Sequence, residues 1–286
     1  MATIYFSNTA DSGDGSFRKA LELATADDII APDPTVFHPG ELITITLSSY
    51  APVTKSATLV AGNFRPRIVS ASGITLYART GGQFLRVDGY EFVGRVLAYF
   101  PECTFTHCLF AGNAETAHLV QGTSGSGISL TDCLVVGAKR SGVYQSGARS
   151  SLTLTRTTVA GCVRPISVGS TTTFTSVDSI VDPVCSEAGF IEPPPDDLSE
   201  FTGALPWEEW NLGLKPDSIY ATGATTAEGE RDLNGVERGR VVNGTKVYAL
   251  GAYEVVETAT MWDVFDDYKL VASVATDTPD LTLWWS

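Results

Sequence analysis

The stretch SGISLTDCLVVGAKRSG (Ser126–Gly142) belongs to a set of near-repeats. PECTFTHCLFAGNAETA begins 25 residues before it and SSLTLTRTTVAGCVRP begins 24 residues after it. Aligned on Gly94, Gly112, Gly137 and Gly161, with Pro183 at the last copy, the spacings are 18, 25, 24 and 22 residues. A phrase that recurs at roughly 20 to 25 residues with uneven gaps limits the fold severely. It describes a solenoid whose coils differ in loop length.

The columns of the alignment give the coil its shape. One column holds Leu85, Cys103, Ile128, Leu152 and Phe174; two residues on stand Val87, Phe105, Leu130, Leu154 and Ser176. Five further on come Phe92, Phe110, Val135, Val159 and Val181. Alternation before and after a break means two short strands joined by a bend. At the bend stand Gly89, His107, Asp132, Arg156 and Asp178. Glycine and aspartate tolerate the left-handed conformation such a corner asks for, and His107 and Arg156 fit it less well. Tyr90, Cys108, Cys133, Thr157 and Ser179 follow as a mostly small inward stack. Like residues stacked on like, rich in β-branched side chains, predict an all-β fold: a single-stranded right-handed parallel β-helix of about eight coils, about 40 Å long at the coil spacing.

Four segments follow from this reading: a cap over residues 1–40, coils over 41–190, a closing segment over 191–254 and a C-terminal tail over 255–286. In the cap, GSFRKALELATADD sets Phe17, Ala20, Leu21 and Ala24 on one helical face with Ser16 as N-cap, which suits a short helix laid over the first coil.

The segment TADSGDGSFRKALELATADDIIAPDPTVFHPGELITITLSSYAPVTKSATLVAGN (Thr9–Asn63) resembles the entry of bacterial and phage right-handed parallel β-helix repeat surface proteins, which run TADSGxGSLRxAI and then strands of the DxIxF, ITL and ITxxxTIxG type. LGLKPDSIYATG and DLNGVERGRVVNGTKVYALGAYE resemble the same family's close, a D-x-x-G-x-x-R stretch before a DIGAYE-like end. The resemblance covers residues 2–254 and implies architecture together with adhesive or structural roles. Family members usually carry a secretion signal and often an anchor after GAYE. This chain shows neither pattern and instead has 32 further residues.

Composition narrows the chemistry. A formal charge of −14, with Lys+Arg at only 19, disfavours nucleic acid and acidic lipid as partners. No apolar run approaches the length of a membrane span and no secretory signal pattern opens the chain, so no membrane insertion is expected. The five cysteines, Cys103, Cys108, Cys133, Cys162 and Cys185, show no C-x-x-C pairing, so neither a zinc site nor a disulfide scaffold is expected. Cys108 and Cys133 fall in one column, where small buried thiols are the simpler reading than a bond.

No catalytic, cofactor-binding or metal-binding residues are assigned. Glycoside hydrolysis needs two carboxylates facing each other across a groove. The outward columns instead carry Thr104, Ser129 and Thr153, then Thr106, Thr131 and Thr155. Asp88, Asp132 and Asp178 alternate with His107 and Arg156 along the bend, which reads as solvated pairing. Polygalacturonase-type NTD, GHG and RIK signatures do not occur. Thr-x-Thr on successive coils also matches flat ice-binding faces, although threonine is favoured outward on any parallel sheet.

Two features point outward. A stripe of Glu91, Leu109, Leu134, Thr158 and Ile180, with Val136 beside it, would sit badly in water, and the closing segment is the favoured cover. The tail holds three of the five tryptophans, Trp262, Trp284 and Trp285. Leu109, Leu134 and Ile180 together with those tryptophans are therefore the candidate interface residues. The expectation is a non-enzymatic structural or attachment protein with protein partners, self-assembling or docking through its tail, and a surface glycan as a further candidate partner. Its place would be a virion, as a capsid decoration or tail-associated rod. The alternatives are a bacterial surface adhesin and a carbohydrate-active enzyme with an unrecognised site.

Overall fold

The computed structural model describes residues 2–26, 28–79, 81–113, 116–181, 185–195, 198, 206–225, 231–233, 236–242 and 245–255. They form a parallel β-helix of about seven turns. Each full coil has three sides, one more than the repeat suggests. The first side is an eight-stranded sheet of Thr3–Phe6, Ile29–Pro32, Ala57–Val60, Phe84–Asp88, Glu102–Thr106, Gly127–Thr131, Ser151–Thr155 and Thr173–Val177. The second side runs through Leu42–Leu47, the first parts of the long strands Arg65–Ala78 and Glu91–Ala98, and then Leu109–Ala111, Leu134–Val136, Thr158–Ala160 and Ile180–Val181. The third side is built by Ala51–Val53, the ends of the two long strands, His118–Gly122, Ser141–Gln145 and Arg164–Val168.

The registers join the expected columns residue by residue. Leu85 lies beside Cys103, Cys103 beside Ile128, Ile128 beside Leu152 and Leu152 beside Phe174. Phe92, Phe110, Val135, Val159 and Val181 form the matching ladder on the second side. Every residue of the first corner is left-handed: Gly89 at φ 79°, His107 at 49°, Asp132 at 51°, Arg156 at 46° and Asp178 at 51°. For a side chain other than glycine this costs roughly 1–2 kcal/mol. Regular stacking fixes the corner geometry, and the side chains there make offsetting polar contacts.

The core is a spine of rings that gives way to aliphatics. Phe6 meets Phe17 at 5.7 Å, Phe17 meets Tyr90 at 6.2 Å, and Tyr90, Phe92 and Phe110 then stack at 6.1 and 5.5 Å. Phe17 belongs to α1 (Phe17–Leu23), the one α-helix among the described residues, whose N-cap Ser16 accepts from the Lys19 N–H. The helix thus plugs the first turn with its buried Phe17 and Ala20, as the amphipathic pattern requires. The first forty residues also do more than cap, because Thr3–Phe6 and Ile29–Pro32 are the first two rungs of the helix itself.

The five cysteines are buried and none is joined in a disulfide. The Cys133 sulfur accepts from the Cys108 N–H at 3.5 Å, and burial pushes the Cys103 and Cys162 thiols up to about 12. These are small apolar fillers of a narrow core, as the column reading proposes.

Candidate interaction surface

Leu109, Leu134 and Ile180 are 3%, 4% and 1% exposed, each buried beneath the chain's own closing segment. With Ala111, Val136 and Ala160 they make a second core against Phe190 and, from that segment, Trp207, Trp210, Leu212, Tyr253 and others. They therefore form an interface within the chain, with the closing segment as the cover that the stripe calls for, and are not offered to another molecule. The physical reason is area: the stripe alone would leave several aliphatic side chains in water, and the closing segment removes them at once. Trp262, Trp284 and Trp285, and the tail that carries them, lie outside the described residues.

Two polar pins fasten the closing segment over the stripe. At one end Glu91, 1% exposed, takes Arg67 at 3.0 Å and Arg65 at 3.6 Å. Arg67 also reaches Glu208 at 3.2 Å and lies 5.5 Å from the Trp207 ring. Trp207 in turn packs beside Gly137, while Trp210 presses on Gly161, where a Cβ would come within 2.5 Å of the ring. Both glycines have positive φ, 80° and 59°, so backbone conformation and close approach require the same residue.

The other pin is Asp132. It receives Arg156 of the next coil through two bonds of 3.0 and 2.9 Å. It also receives Arg238, which is 0% exposed, at 2.7 and 3.1 Å. Arg238 donates further to the Gly251 carbonyl at 2.8 Å. Asp232 accepts from the N–H groups of Val236 and Glu254, and Glu254 from those of Gly239 and Val255. Asp232 and Glu254 are thus the internal scaffold of the segment, and Arg238 is its bolt to the coil. Sequence reasoning placed Asp132 in a solvated ladder and did not single out Arg238. An arginine three residues after Gly235, in a segment that must cover an apolar stripe, was the available signal.

The rest of the corner ladder is wetter. Asp88 and His107 pair at 3.0 Å with side chains 51% and 38% exposed. The Asp88 hydrogen bond raises the His107 pKa against the opposing pull of burial. Asp178 accepts from the Thr225 N–H at 3.0 Å and from its hydroxyl.

A groove of about 420 Å³ opens where Arg67, Trp207 and Glu208 meet Asn113 and Val93. Of the residues that line it, Glu208 is the one carboxylate, and it pairs with Arg67 at 3.2 Å. Among the described residues no group of three or more His, Cys, Asp or Glu side chains is placed to hold a metal ion. Among them also, no helix is long and apolar enough to cross a membrane.

The two ends of the helix differ. The N-terminal turn is closed by α1, but the last rung of the first side, Thr173–Val177, is exposed at all five positions. Phe174 is 41% and Val177 40% exposed, with Val168 of the third side at 39%. Phe174 continues the inward ladder of Leu85 and Leu152, so an interior column reaches solvent here. No protein-family model matches the chain, and neither a curated protein nor a solved structure matches it.

Proposed function

We propose that the chain works as a rigid, non-catalytic assembly and attachment rod, of the kind that a virion surface or a bacterial cell surface displays. The observation that carries this reading is the exposed last rung, where Phe174 and Val177 stand exposed on a strand that, among the described residues, pairs on one side only. An unpaired strand edge with apolar side chains is a template for strand addition. The likeness of the entry and closing segments to β-helix repeat surface proteins supports the same role, as do the acidic surface and the outward hydroxyls. The tryptophan-rich tail supplies anchors of the type that dominate binding energy at interfaces.

Light scattering on the full chain, on residues 1–254 and on a Phe174→Asp, Val177→Lys variant tests it. The full chain is expected to form a defined oligomer, and the two altered forms to be folded monomers. A full chain that stays monomeric at the highest soluble concentration overturns self-assembly.

A further inference from the structure

The third side of the coil carries a row of tyrosines on its outer surface. Tyr50 and Tyr77 meet edge to face at 5.1 Å, and Tyr77 and Tyr99 do so at 5.9 Å. Tyr99 Oη accepts from Gln121 Nε2 at 3.0 Å, and Gln121 lies in register beside Tyr144, which stacks on His118 at 4.7 Å. Tyr50 is 38% exposed and the next three tyrosines are half-buried. From the rung of Ala51–Val53 to that of Ser141–Gln145 are four steps, about 19 Å at the coil spacing.

The charge of this face is opposite to that of the molecule. In a chain of formal charge −14, Arg79 lies 5.7 Å from the Tyr77 ring and Arg95 donates to Gln121 Oε1 at 3.3 Å. The charges that act on His118 are those of Arg140 and Arg95. Among the described residues no carboxylate pairs with Arg79, Arg95 or Arg140. Two polar atoms on this face are buried without a partner, Arg95 Nε and His118 Nδ1, and His118 itself is only 8% exposed.

We propose that the third side binds a linear acidic polysaccharide along the helix axis. Its sugar rings lie against Tyr50, Tyr77, Tyr99 and Tyr144, and its carboxylates are met by Arg79, Arg95 and Arg140. Half-exposed tyrosines offer an apolar ring and a polar tip together, which suits a pyranose with its apolar face and hydroxyl rim. One aromatic or amide side chain per coil gives a repeat close to the length of one sugar unit. The unpaired arginines account for the acidic character, since guanidinium is the preferred planar partner of a carboxylate. This inference deepens the attachment half of the proposed function and is independent of the exposed last rung.

The test is calorimetric titration of the full chain with hexasaccharides of polygalacturonate and of alginate, against maltohexaose as the neutral control. The acidic probes are expected to bind and the neutral one not to. Binding should weaken from about 50 mM to about 500 mM salt, because few exposed charges carry it. Tyr99→Ala and the pair Arg79→Gln, Arg95→Gln should each weaken it by at least about tenfold. Thr153→Val on the first side should leave it unchanged, and the melting temperature of each variant verifies that it is folded. No binding of either acidic probe, equal binding of maltohexaose, or folded variants that bind like the parent each overturn the proposal. The oligomeric state is read separately, so a chain that assembles but binds no acidic glycan refutes this inference alone.

Discussion

Asp132 stands in the left-handed corner with 2% of its surface exposed, and its carboxylate holds two guanidinium groups. Removing it leaves Arg238 as a buried charge with only a carbonyl for company. Breaking a buried pair in this way costs about 3–5 kcal/mol. Asp132→Ala is therefore expected to lower the free energy of unfolding by that amount in a urea titration, and a loss below about 1 kcal/mol would show that the pin carries little. His107 gives a pH signature of defined sign. Its pKa is raised in the folded protein, chiefly by the Asp88 hydrogen bond. Its contribution is therefore fully present below the unfolded value of about 6.5 and is lost as pH rises through the higher folded value. Urea midpoints between about pH 5.5 and 8.5 should fall more steeply for the parent than for His107→Gln. Parallel slopes would remove His107 from the pH response. The corner column was readable as a column. The split between a wet pair at His107 and a dry pin at Asp132 was not, because it depends on a segment about a hundred residues later.

At the scale of elements, α1 shows how a local signal and a tertiary need agree. Ser16 followed by an amphipathic heptad specifies a seven-residue helix, too short to be stable alone. Its stability comes from Phe17, which sits between Phe6 and Tyr90 at the head of the aromatic spine. Ser16→Ala should cost about 1 kcal/mol and Phe17→Ala about 3–5 kcal/mol by the same urea assay. Equal effects would mean that the helix is held by its cap and not by its plug. The third side is the element the sequence concealed. HLVQG, SGVYQ and RPISV share few residue types and follow loops of unequal length, so no alternating phrase marks them. Only the pairing of Val120 with Val143 and of Val143 with Ile166 makes them one wall. The tyrosine row lies on that wall, which is why no reading of the repeat brought Tyr77, Tyr99 and Tyr144 together.

At the scale of the whole molecule, the described residues build two cores with different logic. The inner one, from Phe6 to Cys162, is a ladder in which each coil buries its neighbour's face, so stability accumulates turn by turn. The outer one forms when the closing segment lies over Leu109, Leu134 and Ile180. Among the described residues the N-terminal turn is plugged and the last rung is exposed, the asymmetry on which the proposed end-on assembly rests. The amino-acid sequence by itself determined the coil, its inward columns, its first corner and its helical cap, because these arise from patterns within a few residues, repeated. It also marked the outward stripe as needing a cover. Only the tertiary structure decided that the cover carries a buried arginine onto Asp132, that each coil has a third side, and which arginines and tyrosines share a surface. Those outcomes depend on contacts between residues 20 to more than 100 positions apart, such as Tyr77 with Tyr99 and Asp132 with Arg238. Local pattern carries no record of such distances; the stacking of coils and the path of the closing segment create them.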